Sequence, residues 1–591
     1  MSIIDRIASL RSLMQIKGID GVIIYGTDPH LSEYVPDSWR IREWISGFTG
    51  SYGKVAVTLD RAALWTDSRY FIQADTQLYG SGINLIKDRQ PDTISIECWF
   101  ESELIPGSIV NIDGLTISAA EANTLEQKLS AKGITLDMNA GMVSSIWENR
   151  STMPLAKVED YPPIFAGCSR GEKLKQIRSI LAEKGAEATL VGKLDDLAWV
   201  FNLRGNDIPY NPLFTGYGYI DHQKAILFVR DEKMPSGLKD TLNVDGITVM
   251  SYDSMSLFLE QNASPPFYLD PDRTNSLVYR MISKKCKIIN GIAVTSLLKS
   301  VKNEVEIEGM REAHRRDGAA LVNFLFWFTE NFEKNRITEL SIAEKLRKFR
   351  SEQNHFMGES FSPIIAFGPH GAIVHYTPTS ETDVEILADG ILLFDSGAQY
   401  LDGTTDITRT ISTGKVTPKQ KSDFTLVLKG MIQLANVVFP ENSRGYSLDI
   451  LARKALWNKG LNYGHGSGHG IGHYLSVHEG PMAISQEFID QPIRAGQIIT
   501  DEPGLYREGE YGIRTENVLL CKSELHSEYG RYLSFDTLTL CPIDRKLVDR
   551  RLLTIDELKW LNKYHKLVLS ELKTSLKPEV VRWLKVQCAK I

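Results

Sequence analysis

The spacing of apolar residues changes along this chain, and the changes divide it into regions. The opening "MSIIDRIASLRSLMQIKG" spaces its apolar residues for one helix face, interrupted by Asp5, Arg6 and Arg11, and ends at Lys17-Gly18, a helix-stopping pair. A short apolar strand, "VIIY", and polar residues follow. The same plan recurs in "LAEKGAEATLVGKLDDLAWVF" around Lys184-Gly185. After each comes a strand region rich in glycine and aromatic residues, "ISGFTGSYGKVAVTL" and "LFTGYGYIDHQKAILFV". This alternation predicts two duplicated α/β domains of about 150 residues each. The proline-bearing run from Ser151 to Gly167, "STMPLAKVEDYPPIFAG", is the expected joint.

The pattern then lengthens. In "KNEVEIEGMREAHRRDGAALVNFLFWFTENF" the residues Val305, Ile307, Met310, Ala313 and Leu321 recur at helical spacing and predict a long amphipathic helix. Two hairpins follow. "GILLFDSGAQYLDGTTDITRTIS" turns at Asp402-Gly403 and returns with alternating threonines; "GQIITDEPGLYREGEYGIRTENVLLC" turns between Arg507 and Glu510. Between them "FTLVLKGMIQLANVVF" and "SLDILARKALWNKG" read as helices, and the tail from about Cys541 is helical and charged.

Composition narrows the class. A chain of 591 residues with 42% hydrophobic and 24% charged residues has the make-up of a globular protein with two to four domains. A net charge of −7 argues against nucleic acid as a partner. No run of about 18 apolar residues occurs, which argues against membrane insertion. Cys98, Cys168, Cys286, Cys521, Cys541 and Cys588 are scattered and fit reduced thiols in the cytoplasm.

The chemistry lies in acids where apolar strands should continue: Asp395 and Asp406 in the first hairpin, Glu502 and Glu516 in the second. An ionised carboxylate buried in a sheet costs several kcal/mol unless neutralised. Arg409 and Arg514, in the same strands, are one source of neutralisation. A metal cluster is the other, and four acids on two similar hairpins with a histidine-rich stretch between them favour it. That stretch, "GHGSGHGIGHYLSVHEGP", has glycine at every second position from Gly464 to Gly472. If it is extended, His465, His469 and His473 share a face. Four carboxylates and one imidazole balance two divalent cations, and so oxygen-rich a set favours Mn²⁺, with Co²⁺ or Zn²⁺ also able to bind. HExxH, GxSxG and GxxxxGK[ST] are absent, the glycine row is not GxGxxG, and "DGTTD" lacks the further ligands of an EF-hand.

The segments "DSGAQYLDGTTDITRT", "GHGSGHGIGHYLSVHEGP", "TDEPGLYREGEYGIRTEN" and "GPHGAIVHYTP" together resemble the pita-bread metallopeptidases, above all the three-domain cytosolic X-Pro aminopeptidases (aminopeptidase P). The resemblance covers almost the whole chain. It extends to "ISGFTGSYG" and "ALWTDSRYF" near the start, "LDDLAWVFNLRGNDIPYNP" in the second domain, and "SFDTLTLCPID" and "WLNKYH" in the tail. It implies an α/β (α+β) chain: a creatinase-like domain over 1–158, a second over 159–300, and a pita-bread catalytic domain with a C-terminal extension over 301–591. It makes Asp395, Asp406, His469, Glu502 and Glu516 the ligands of a dinuclear site, with Asp406 and Glu516 bridging. His375 and His478 then contact substrate and stabilise the tetrahedral intermediate, His465 lies near the proline pocket, and Arg514 stands behind the ligands. His473 and His370 are expected to be structural, solvated or turn residues. The implied reaction is release of an N-terminal residue from peptides with proline second, by a hydroxide bridging two metals, with Glu502 carrying the proton. A cytoplasmic homodimer is implied. Prolidase, limited to dipeptides, is the near alternative. Creatinase-like hydrolases lack the complete acid set, and a non-catalytic pita-bread binding module is the remote alternative.

Overall fold

Strand β1 (Gly21–Tyr25) is buried at every position, as a strand covered on both faces must be. With β2 (Lys54–Thr58), β3 (Ala62–Thr66), β4 (Asn84–Lys87), β5 (Ile109–Ile112) and β6 (Thr135–Asp137) it forms a sheet of order β4-β3-β2-β1-β5-β6. A second sheet is built from β7 (Ala188–Val191), β8 (Tyr217–Asp221), β9 (Ala225–Phe228), β10 (Ile247–Met250), β11 (Phe267–Leu269) and β12 (Ile288–Asn290), in the order β10-β9-β8-β7-β11-β12. The orders are the same. So are the directions: the strands pair antiparallel at β1–β2, β2–β3, β7–β8 and β8–β9, and parallel at every other step. The duplication expected from the repeated helix–glycine–strand plan is therefore present at the level of topology. The two halves meet at His30, whose Nδ1 lies 2.8 Å from the Gly192 carbonyl oxygen and whose ring packs 4.5 Å from that of Tyr217.

The computed structural model describes residues 1–591. It divides into one unit of Met1–Tyr161 with Cys168–Leu297 and another of Pro162–Gly167 with Leu298–Ile591. Part of the expected joint thus belongs to the second unit. There the short helix Pro163–Ala166 is held by Asn303, whose side-chain amide donates to the Ala166 carbonyl at 2.9 Å.

The second unit opens with helix α1 (Glu304–Asn331), started by a capping box between Asn303 and Glu306. Met310, Ala313 and Leu321 are buried along it as their spacing predicts, while Val305 in the first turn is 42% exposed. Helix α2 (Glu339–Ser351) leads to strands β13 (Phe356–Glu359) and β14 (Ile364–Phe367). The first hairpin follows as β15 (Ile391–Ser396), β16 (Ala398–Tyr400), β17 (Gly403–Thr404) and β18 (Ile407–Ser412). It spans two sheets, β14-β15-β18 and β13-β16-β17. Helices α3 (Pro418–Ala435) and α4 (Gly445–Trp457) pack on each other. The chain continues as β19 (Gly468–Gly470), β20 (Glu479–Ile484), β21 (Ile498–Asp501), β22 (Gly504–Arg507), β23 (Tyr511–Arg514), β24 (Asn517–Ser527) and β25 (Gly530–Thr537). Of these, β25-β24-β21-β19-β20 form one sheet and β22-β23 a ribbon of their own. The tail supplies α5 (Ile555–Leu572) and α6 (Pro578–Gln587), which bury Leu561, Val568 and Leu584 in one cluster with Val427 and Met431 of α3. No helix is long and apolar enough to cross a membrane.

The acids sit where the chain changes partners. Glu502 lies between β21 and β22, Glu516 between β23 and β24, and Asp406 between β17 and β18. Asp395 is inside β15, flanked in register by Ile364 and Thr408.

Candidate metal centre

Asp395, Asp406 and Glu516 are 8%, 4% and 1% exposed, so each carboxylate has lost most of its water. One ligand atom from each of Asp406, His469 and Glu516 can be chosen so that all three lie within 4.8 Å of one another. His469 Nε2 stands 3.6 Å from Asp406 Oδ2 and 3.7 Å from Glu502 Oε1. These distances are too long for hydrogen bonds. They suit two ligands of a shared ion, whose bonds of about 2.1 Å leave the ligand atoms roughly 3–3.5 Å apart. The tautomer agrees. His469 Nδ1 lies 3.0 Å from the Gly470 carbonyl oxygen, which only an N–H can satisfy, so the Nε2 lone pair faces the carboxylates.

Without a cation this arrangement is electrostatically costly. Burial, then the charges of Asp395 and Glu502, hold the Asp406 carboxyl well above the usual range. Burial, then Asp406, Asp395 and Glu502, do the same to Glu516. Asp395 Oδ1 is buried with no hydrogen-bond partner. The donor set, its geometry and that orphaned oxygen fit a pair of divalent cations.

The arginine alternative accounts for one contact among the four acids. Arg514 Nη2 donates to Asp395 Oδ2 at 2.5 Å. Arg409 turns away from the acid side chains. It donates to the Glu516 backbone oxygen at 2.5 Å, to Asn517 Oδ1 and the Cys541 carbonyl at 2.9 Å, and to the Tyr564 hydroxyl at 2.7 Å. It therefore fixes the backbone beneath Glu516 and leaves that carboxylate's charge in place. Thr408 Oγ1 donates to Glu516 Oε2 at 2.8 Å and accepts from Arg514 Nε at 3.1 Å. Thr408 and Thr410 alternate along one face of β18, so the period-two threonines were the signal for this support.

The histidines separate by role. The glycine row is not one extended face: only Gly468–Gly470 is strand, and the register shifts between His469 and Gly470. Glycine is needed there for close approach, since a Cβ on Gly468 would lie 2.1 Å from the Thr500 carbonyl oxygen. His469 reaches the acids. His478 packs edge-on against it with ring centroids 4.3 Å apart. The next residue, Glu479, is buried and held by Lys299 Nζ at 3.0 Å and by Lys302. His465 instead joins a relay. Its Nδ1 is 2.7 Å from the Gly466 carbonyl and its Nε2 2.7 Å from the Tyr506 hydroxyl; Tyr506 accepts from Arg514 Nη1 at 2.7 Å. Arginine only donates, so the tyrosine proton goes to His465 Nε2. His375 is half-buried, and Arg514 Nη1 also reaches the carbonyl of its neighbour Val374 at 3.4 Å. His473 is 2% exposed, against the solvated alternative. His370 sits in a 3₁₀ turn, its Nδ1 2.9 Å from Glu339. Tyr506, Thr408, Glu479 and Glu339 are the supporting residues that the sequence reading did not single out.

Comparison with known proteins is consistent along the chain. Residues 308–523 match the family model of metallopeptidase family M24, and 531–591 match the C-terminal region of that peptidase. Residues 6–139 and 149–306 each match the creatinase/prolidase N-terminal domain. The chain is 38% identical to a probable Xaa-Pro aminopeptidase P of Botryotinia fuckeliana, covering 98% of this chain and 92% of that one. It is 40% identical to one of Sordaria macrospora, covering 95% and 94%. The crystal structure of an X-prolyl aminopeptidase from Caenorhabditis elegans, described as a cytosolic enzyme with a di-nuclear active site, superposes with a TM-score of 0.97 at 34% identity over 100% of both chains. An Xaa-Pro dipeptidase from Bacillus anthracis shares the fold over 64% of this chain, at a TM-score of 0.51 and 22% identity.

Proposed function

The chain belongs to metallopeptidase family M24, and from that premise we propose that it is an Xaa-Pro aminopeptidase, releasing the first residue of peptides whose second residue is proline. The observation that carries the reading is the set of Asp406, His469 and Glu516 donor atoms within 4.8 Å, beside the orphaned Asp395 oxygen. Asp395, Asp406, His469, Glu502 and Glu516 would hold two divalent cations. Their oxygen-rich set suits Mn²⁺ best, with Co²⁺ and Zn²⁺ as the alternatives. When bound, such ions supply the Lewis acidity that polarises the scissile carbonyl and makes a water molecule acidic near neutral pH.

The protein's own groups do the rest. The X-Pro bond is a tertiary amide with no N–H, so a site that grips the carbonyl and the free amine suits it. The Glu502 side chain, 19% exposed at the edge of the acid cluster, takes a proton from the attacking water and returns it to the leaving proline nitrogen. His375 and His478 donate to the oxygen that gains charge in the transition state. His465 has both ring nitrogens engaged and offers its ring to the proline side of the pocket. Arg514 holds Asp395.

The domains carrying these roles are taken as 1–158, 159–300 and 301–591. A cytoplasmic homodimer is the proposed form. Cys98, Cys286, Cys521, Cys541 and Cys588 are free thiols, which supports the compartment. An apolar row on α4 supports the dimer: Tyr446, Ile450 and Trp457 are 45%, 48% and 40% exposed, with Phe488 at 69% beside them.

The test is cleavage of Gly-Pro-Xaa against Gly-Ala-Xaa before and after chelation, with Glu502→Gln in parallel. The proline peptide is cut at its first bond, and activity vanishes with the metal and returns best with Mn²⁺. Glu502→Gln, compared at saturating metal with its metal content measured, loses about 10²-fold or more in kcat. Cleavage of Xaa-Pro dipeptides alone would make the chain a prolidase, and indifference to chelation would end the metal mechanism.

A further inference from the structure

Glu339 is the first residue of α2 and is 0% exposed. A buried carboxylate needs compensation, and this one draws it from a single short segment. Its Oε1 accepts from the Phe367 backbone N–H at 2.8 Å. Both of its oxygens face His370 Nδ1, at 2.9 and 3.1 Å, and its Oε2 accepts from the Tyr376 hydroxyl at 2.8 Å. The His370 and Tyr376 rings stack with centroids 4.3 Å apart, and the α2 N-terminus adds a favourable dipole. Residues 367, 370 and 376 thus converge on one acid, and the loop between them carries His375. The other side of that loop is fixed as well. Arg514 Nη1 reaches the Val374 carbonyl, and Gly371 packs on Gly512 so closely that a Cβ on Gly512 would lie 1.7 Å from the Gly371 carbonyl oxygen.

We propose that Glu339 is a positioning residue for His375: one buried carboxylate, clamping Phe367, His370 and Tyr376, sets where the His375 ring stands against the substrate. The proposal rests on the assignment of His375 to the substrate made above. His375 lies next to Tyr376, so slack at the tyrosine hydroxyl is transmitted through one peptide unit to the imidazole. A displacement near 1 Å at a reacting group costs about 10²-fold in rate. If His375 acts on charge that develops only in the transition state, the loss falls on kcat and leaves KM nearly unchanged.

The test is a double-mutant cycle on the metal-loaded full chain with an Xaa-Pro peptide, using Glu339→Gln, His375→Ala and the pair, with metal content and thermal midpoint recorded for each. Glu339→Gln lowers kcat about 10- to 100-fold, moves KM by less than about two-fold, and keeps the full complement of metal. In the His375→Ala background the same change costs less than about two-fold, because the group it positions is gone. Tyr376→Phe, which removes one hydroxyl from the same carboxylate, is run through the same cycle in case Glu339→Gln does not fold. An equal loss in both backgrounds, or an unchanged kcat in Glu339→Gln, overturns the positioning role while His375 stands. An unchanged kcat in His375→Ala overturns the assignment of His375 and the role of Glu339 with it.

Discussion

Arg514 and Asp395 are joined through one carboxylate oxygen only: Nη2 lies 2.5 Å from Oδ2, and Oδ1 remains buried without a hydrogen-bond partner. A guanidinium can take both oxygens of an acid at once. Here it cannot, because Nη1 is committed to the Tyr506 hydroxyl and Nε to Thr408. The arginine neutralises part of the charge, fixes the carboxylate's rotation and leaves one oxygen for a cation.

Arg514→Lys tests that division. Lysine keeps the charge and loses the fork, so Asp395, Thr408 and Tyr506 can no longer be held from one plane. Metal affinity or activity falls about 10- to 100-fold, the usual loss when an outer partner of a metal ligand is removed. Metal content after dialysis against graded chelator, followed alongside kcat, checks it. A variant that holds metal and turns over like the parent would show the arginine to be mere packing.

Tyr506 joins His465 to Arg514, and thereby to Asp395, by two 2.7 Å hydrogen bonds. Burial, offset in part by Arg514, pushes its hydroxyl up to about 12, so it stays protonated through the working range and donates to His465 Nε2. Tyr506→Phe removes both bonds and leaves a half-buried imidazole nitrogen and a buried guanidinium N–H without the hydroxyl, at about 1–3 kcal/mol for the buried donor. A loss in kcat/KM of about ten-fold or more is expected with metal content unchanged, and it should be similar for peptides of different first residue because His465 is assigned to the proline side. Steady-state kinetics over a series of first residues measures both. Unchanged kcat/KM throughout would mean the relay has no bearing on catalysis.

How much of this was legible in sequence follows from the range of each interaction. The helix–glycine–strand repeat is local, and it led to two sheets of the same strand order. The acids were legible because an acid in "ILLFD" or "IITDE" breaks a strong apolar pattern at a known energetic cost. The histidine row was misleading for a local reason. Alternation treats "GHGSGHGIGH" as one strand, while contact with Thr500 and the shift at Gly470 keep only Gly468–Gly470 in the ladder. Tyr506 and Glu339 were not legible. Their partners lie 41 and 37 residues away for His465 and Tyr376, and nothing in the pattern marks a buried tyrosine or glutamate as holding a loop.

The C-terminal extension carries a pH sensitivity of its own, independent of the metal ligands. His565 on α5 is 0% exposed. Its Nε2 accepts the Ile543 N–H at 3.2 Å and its Nδ1 has no partner. Burial, then the charges of Arg409 and Arg545, push the imidazole down to about 4, against about 6.5 in an unfolded chain. The unfolded state therefore binds more protons between those values, and stability falls as pH drops through about 6.5 toward 4. At pH 5 the loss from this one group is about 2 kcal/mol, on the order of the damage done by a sizeable core mutation. His565→Gln can still accept from Ile543 but cannot titrate. The fall in thermal midpoint between pH 7.5 and pH 5 should accordingly be smaller in His565→Gln than in the parent, both measured after metal removal so that ligand protonation is common to the two. Parallel pH dependences would mean that the folded imidazole takes up its proton on Nε2 as readily as the unfolded one, giving up the Ile543 hydrogen bond without cost to the fold.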